Sequence, residues 1–217
     1  LLENVLFGNS NIATILNDKA DLEFSSVMVQ TLNLILMTAP ELAPRRKALR
    51  ETFRNNSADV ETFVILFKSW CHNPVATFSL CLLAQAYDLS SSLIMKFAEI
   101  DVTVGFLMQI DKLVQLIESP IFIHLRLELL EVNSKPHEDL LKSLYGLLML
   151  LPQSQAYKTL SGRLTTVSSL QMYVQGNSNT SMFSSLGQGT SDSQSVLYAE
   201  LLKRFEEVLE QHSISYH

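Results

Sequence analysis

Apolar positions recur along most of this chain at the three-and-four spacing of amphipathic helices, and one stretch departs from that spacing. Leu140–Arg163 (LLKSLYGLLMLLPQSQAYKTLSGR) reads as two helices broken at Leu151-Pro152. In the first, Leu140, Leu141, Leu144, Leu147, Leu148, Leu150 and Leu151 leave only Lys142, Ser143 and Gly146 polar or small. A helix apolar almost all the way round must be covered on more than one side, by other helices, another chain or lipid. It is too short for the ~20 residues that cross a bilayer.

The rest of the pattern predicts an all-α fold. Expected helices span 22–38, 40–55, 57–71, 74–87, 89–98, 102–117, 119–131, 136–150 and 152–166, with one or two more within 1–18. All six prolines (Pro40, Pro44, Pro74, Pro120, Pro136, Pro152) stand at or just inside an expected helix start, where a missing N–H does no harm. Pro120, Pro136 and Pro152 are 16 apart, a spacing that predicts antiparallel helical hairpins joined by tight turns, as in a HEAT-like solenoid. Ile121–Leu129 alternates with the period of a strand. On a helix it gives two stripes, Phe122/Leu125/Leu129 and Ile123/Leu127/Leu130, which suit a helix held between two neighbours, and nothing nearby can pair with it as a strand.

From Ser168 the composition turns to Ser, Thr, Gln, Asn and Gly. The expected organisation is a helical-repeat domain over 1–167, a flexible linker over 168–195 and an amphipathic helix over 196–212. Leu201, Phe205 and Val208 form the apolar stripe of that last helix, and a linker of this composition has an r.m.s. reach of roughly 30 Å. The tethered helix is therefore able to dock on its own domain or on another subunit.

Charge and chemistry narrow the function. A net charge of −6 argues against general nucleic-acid binding. Two cysteines, Cys71 and Cys81, are too few for a disulfide framework and fit the reduced thiols of a cytosolic chain. The chain begins Leu1-Leu2-Glu3 without Met, which suggests a piece of a longer protein; no secretory signal or spanning run is visible, so a soluble protein is expected. No phosphate-binding, dinucleotide or nucleophile-elbow motif is present. His137-Glu138-Asp139 lacks a second zincin histidine, because Leu141 stands in its place, and Cys71, His72 and Cys81 have no fourth partner at metal spacing. No cofactor, metal or catalytic residue is assigned.

Two binding features remain. Arg45, Arg46, Lys47, Arg50 and Arg54 hold five of the 16 basic residues. Arg46, Arg50 and Arg54 recur every four residues, either as a solvated face or as a surface for an acidic partner or anionic lipid. Trp70, the only tryptophan, closes a helix in Ser69–Pro74 and is either core or an interface anchor.

Several stretches together resemble one family: Ser69–Val75 with Ser79–Cys81 (SWCHNPV…SLC), Val102–Glu118 (VTVGFLMQIDKLVQLIE), Ser119–Leu130 (SPIFIHLRLELL), Leu144–Ser154 (LYGLLMLLPQS) and Tyr198–Glu206 (YAELLKRFE). They are similar to the C-terminal region of the vacuole-morphology scaffold family called Vac fourteen. The resemblance implies a non-catalytic, cytosolic HEAT-like scaffold, peripheral on endosomal, lysosomal or vacuolar membranes. It also implies that this region self-associates and binds the Sac-domain phosphatase Fig four, and that the scaffold holds the lipid kinase PIKfyve (Fab-one) for phosphatidylinositol 3,5-bisphosphate synthesis and turnover. Expected contact residues are Leu148, Leu151, Pro152, Gln153 and Tyr157 at the end of the apolar helix, with Trp70, Leu201, Phe205 and Val208. A peripheral membrane module binding anionic lipid through the Arg45–Arg54 basic stripe, with Arg46, Arg50 and Arg54 as its contacts, is the competing expectation.

Overall fold

Short side chains set the helix starts. Asn73, Thr103, Ser119 and Ser134 each accept a hydrogen bond from a backbone N–H two or three residues ahead, satisfying a donor that the helix leaves open. Pro40, Pro44, Pro74, Pro120 and Pro136 stand in the first positions of the elements they open. The computed structural model describes residues 22–53, 59–131, 134–177 and 192–215. Over these the chain forms α1 (Leu22–Thr38), α2 (Ala43–Glu51), α3 (Asp59–Trp70), α4 (Pro74–Leu83), α5 (Tyr87–Lys96), α6 (Val104–Glu118), α7 (Ile123–Glu128), α8 (Lys135–Leu150), α9 (Gln155–Asn177) and α10 (Asp192–Ser215). Single 3-10 turns at Pro40–Leu42, Phe97–Glu99 and Pro120–Phe122 lead into or out of helices. No strand occurs among the described residues, and Ile121–Leu129 is helical in the main, with Phe122, Leu125 and Leu129 inside.

α4 is the axis of the core. It packs against α1, α2, α3, α5 and α6, and every residue from Val75 to Leu83 is buried. Its hydroxyls are satisfied locally: Thr77 donates to the carbonyls of Trp70 (2.7 Å) or Asn73 (3.0 Å), and Ser79 to Asn33 Oδ1 or Ala76 O, both at 3.0 Å. α4 ends in a Schellman arrangement, with Ala86 N–H on Cys81 O and Gln85 N–H on Leu82 O. Gln85 takes the left-handed position at φ 60°, where glycine is usual.

Helices three apart in the chain lie side by side and run the same way. Ser26 and Asn33 of α1 meet Asn73 and Ser79 at α4 in step. Ser90 and Ile94 of α5 meet Ser143 and Gly146 of α8, and Asp111 and Glu118 of α6 meet Ser154 and Arg163 along α9. Within α8–α9 the chain reverses, with Tyr145 against Ser168 (2.8 Å) and His137 against Gln171 (2.9 Å). Antiparallel neighbours within layers and parallel helices between them are consistent with a HEAT-like solenoid. One turn recurs 80 residues apart (Pro40/Pro120, Arg46/Arg126). Arg46 donates to Leu36 O (2.9 Å) and Ala39 O (2.7 Å), and Arg126 to Ile117 O and Ser119 O, both at 2.8 Å. Each guanidinium thereby closes the carbonyl end of the preceding long helix, where a cation is favoured.

Three sequence expectations need correction. The helix expected from Pro152 starts at Gln155, because Leu151 is extended before the proline and Ser154 supplies the cap by accepting from Tyr157 N–H (3.3 Å). That helix continues to Asn177, ten residues into the expected linker, since Leu160, Leu164 and Val167 keep it seated on the core. The last helix runs Asp192–Ser215 and docks on α3 and α5 of its own chain, with Leu201, Phe205 and Val208 wholly inside. The one or two helices expected within 1–18 lie outside the described residues.

Candidate functional site: an apolar end with three methionines

Two helix crossings joined by one turn build the site. Where α5 meets α8, a Cβ on Gly146 would lie 2.7 Å from Ile94 Cγ1 and 2.9 Å from its Cγ2, so the missing side chain is what lets the helices close up. Beside it Ser90 Oγ and Ser143 Oγ share a buried 2.7 Å hydrogen bond. Where α6 meets α9, Ser154 donates to Asp111 Oδ1 at 3.0 Å. About two and a half turns further along, Arg163 of α9 pairs with Glu118, Nε and Nη2 donating to the two carboxylate oxygens, and the carboxylate raises the Arg163 pKa.

Because both helix pairs run parallel, the C-terminal ends of α5 and α8 and the N-terminal ends of α6 and α9 come to the same end of the molecule. Five large apolar side chains are exposed there: Met95, Val102, Val104, Met108 and Met149, the last 86% open. Methionine recurs on protein-binding surfaces because its unbranched, polarisable chain adapts to a partner's shape. Pro152 and Gln153 are exposed in the connecting turn. Lys96, which flanks this end, is held between Glu99 and Glu206, at 3.3 and 2.9 Å, and its pKa is raised chiefly by the Glu206 hydrogen bond.

The structure divides the expected contact residues. Pro152 and Gln153 are open, and Leu148 and Tyr157 are half-buried against the core. Leu151 is buried, and so is Trp70, whose indole N–H donates to Asn33 Oδ1 at 3.2 Å. Trp70, Leu151, Leu201, Phe205 and Val208 are thus interior side chains of this one chain rather than free contacts. Of the basic stripe, Arg46 is committed to two backbone carbonyls, burial and the neighbouring Arg50 lower its pKa, and Arg54 lies outside the described residues. The five residues missed by sequence, Met95 through Met149, carried no signal as single positions. Gly146 did carry one, since a glycine inside an otherwise unbroken helix marks a close helix approach.

Elsewhere the groups with chemical potential serve the fold. Burial pushes the Cys71 thiol up to about 12 and Cys81 well above its ordinary value, so neither is a ready nucleophile. His137 is buried between Glu128 O and the Gln171 amide. Among the described residues no three His, Cys, Asp or Glu side chains converge as metal ligands, and no single helix is long and apolar enough to cross a membrane.

A family model described as "Vacuolar protein 14 C-terminal Fig4p binding" matches residues 5–167. The chain is 53% identical over 157 residues to the Protein VAC14 homolog of Arabidopsis thaliana, covering 72% of this chain and 21% of that protein. It is 48% identical over 155 residues to the Protein VAC14 homolog of Schizosaccharomyces pombe, covering 71% and 18%. Against Vacuole morphology and inheritance protein 14 of Saccharomyces cerevisiae it is 36% identical over 214 residues, covering 94% and 24%. The chain thus spans about a fifth of the length of these curated relatives. No solved structure matches it. All of α1–α8, including the apolar end, falls within the matched segment, and the chain belongs to the Vac14 C-terminal, Fig4p-binding family.

Proposed function

We propose that this chain is a non-catalytic scaffold domain that binds the Sac-domain phosphoinositide phosphatase through the end formed by α5, α6, α8 and the start of α9. The observation that carries the reading is the cluster of exposed Met95, Val102, Val104, Met108 and Met149 within the segment matched by the Fig4p-binding model. Exposed apolar side chains on elements that meet at one end, with Lys96, Asp101 and Lys112 next to them in the chain or one helical turn away, have the make-up of a protein interface. Holding the phosphatase and the phosphatidylinositol-3-phosphate 5-kinase on one platform raises their effective concentrations for each other, which is the mechanism a scaffold contributes. Self-association belongs to the same proposal. It is supported by a second open stripe, Ile123 and Leu127 on α7 with Leu130 in the turn after it, whose charged neighbours Arg126 and Glu128 are turned to backbone carbonyls and the Ser134 hydroxyl.

Met149→Arg combined with Val104→Asp tests the main reading, because both positions are exposed and the fold should tolerate the change. The variant should keep its helical circular dichroism and melting temperature yet lose co-purification with the phosphatase. Undiminished co-purification removes this end from the interface. Leu127→Arg tests self-association by mass measurement in solution, and an unchanged mass would clear α7. The competing membrane reading is left with Lys47 and Arg50 as its described support. Liposome co-sedimentation that is insensitive to reversing both charges dismisses it.

A further inference from the structure

α10 lies beyond the segment matched by the family model and crosses α3 and α5. Its N-terminal half is held by Leu201, Tyr198 packed edge-on against Phe53, and the Lys68–Glu200 pair. Its C-terminal half is held differently. Beyond the buried Val208, His212 brings Nε2 within 3.2 Å of His72 Nδ1, with ring centroids 5.5 Å apart. His72 stands in the turn between α3 and α4, is 4% exposed, and its Nε2 has no hydrogen-bond partner.

We infer that the His72–His212 contact is a proton-operated latch: with both rings neutral it holds the C-terminal turns of α10 against the α3–α4 turn, and protonation releases them. Two neutral imidazoles share one hydrogen bond, one ring donating and the other accepting. Two imidazolium rings present only donors to each other, and a buried His72 cation has no acceptor at Nε2. The charged groups around the pair favour the neutral state. From α10 comes Arg204, which is held by Glu207 at 3.5 Å; Lys68 of α3, held by Glu200 at 3.6 Å, acts on the neighbouring Cys71, and these carboxylates are engaged there. Next to His72, the Asn73 amide at the start of α4 donates to the Gln109 amide of α6, and the Cys71 thiol beside the pair is uncharged. A divalent metal is disfavoured by the same cations and, among the described residues, by the absence of a third ligand.

Burial first, then His212 and Arg204, lower the His72 pKa from 6.5 to about 4, and burial lowers that of His212. Undocking exposes the rings and restores an ordinary histidine, so the undocked state binds protons that the docked state refuses. The sign follows: docking is at full strength above pH 6.5 and weakens about tenfold per unit as pH falls from there toward 4. Sensitivity therefore begins just below neutrality, well above the docked-state pKa.

Hydrogen exchange of the full chain, corrected for the intrinsic pH dependence, reads the latch directly. Between pH 7.5 and 5.8, protection of the amides from Val208 to Ile214 should fall about fivefold for one titrating ring, more if both respond. Protection in α8 should hold over the same interval. His212→Gln, which leaves His72 as the one titrating ring, should keep no more than that single-ring fall of about fivefold, and the double variant His72→Phe/His212→Phe should lose the pH response. An equal fall in α8, an unchanged wild-type α10, or a full response in the double variant overturns the inference.

Discussion

α4 and α8 are both rich in leucine and nearly free of charge at their centres, yet they occupy opposite situations. α4 is enclosed by five helices, and only Pro74 at its start reaches the surface. α8 is seated on one side, through Leu140, Ser143, Leu144 and Leu147. It leaves Tyr145 and Met149 open and Leu141, Leu148 and Leu150 half-covered. All-round apolar character therefore states a demand for cover without saying who meets it. For α4 the same chain meets it. For α8 part of the surface stays open, and it is this open part that the proposed scaffold role assigns to a partner.

The difference makes a large prediction. Phe78→Ala empties a wholly buried site on α4, and removing such a side chain costs about 3–5 kcal/mol. Met149→Ala on α8 should stay within about 0.5 kcal/mol of the parent, as exposed substitutions do. Urea denaturation of both variants measures the contrast. Comparable losses would mean that α8 is as enclosed as α4.

Gly146→Ala sharpens the seated side of α8. Replacing glycine in a helix is worth up to ~1 kcal/mol, but the new methyl meets Ile94, whose branched Cβ leaves it little freedom to turn aside. Overpacking of this kind costs about 1–3 kcal/mol, so a net loss is expected. Ile94→Ala should absorb the clash, so the double variant should lose less than the two single changes summed. A stabilising Gly146→Ala would show that the α5–α8 crossing is looser than its geometry implies.

The helices themselves were legible because capping residues, prolines and apolar spacing act locally. The helix starts expected at 74, 102 and 136 are observed at Pro74, Val104 and Lys135, each within two residues. What covers a helix is set by pairings far apart in sequence, and Ser90 with Ser143 or Asn33 with Ser79 leave no local trace. The proline spacing pointed to sequential hairpins, and the broadest packing instead joins α8 to α5. The site was half legible for the same reason. The turn at Pro152-Gln153 stood out by its break in pattern. Met95 and Met108 joined it only because the parallel crossings bring the ends of α5, α6 and α8 together. Trp70 and Phe205 have the composition of anchors and the burial of core, and composition alone cannot separate the two.

Buried polarity offers a smaller test. Thr77→Val keeps the shape of α4 but removes the hydroxyl that donates to Trp70 O or Asn73 O. A loss of about 1 kcal/mol is expected from one buried hydrogen bond. A neutral result would mean that the hydroxyl only balances its own desolvation, so that α4 needs no polar contact to sit where it does.

The smallest expected effect concerns how the two helices end. α8 leaves through extended Leu151 before Pro152, a conformation natural to both residues. α4 leaves through Gln85 at φ 60°, with the Schellman hydrogen bonds intact around it. A side chain held there is disfavoured by roughly 1 kcal/mol, and glycine removes that strain while adding entropy to the unfolded chain. Gln85→Gly should therefore raise stability by a few tenths of a kcal/mol, up to about 1 kcal/mol, a rise in melting temperature without change in denaturant slope. Gln153→Gly, the comparable change in the exit turn of α8, has no positive φ to relieve and should lower stability slightly through the same entropy. Opposite signs at the two exits would confirm that only α4 is held in place firmly enough to impose backbone strain on its neighbour; equal signs would abolish the distinction.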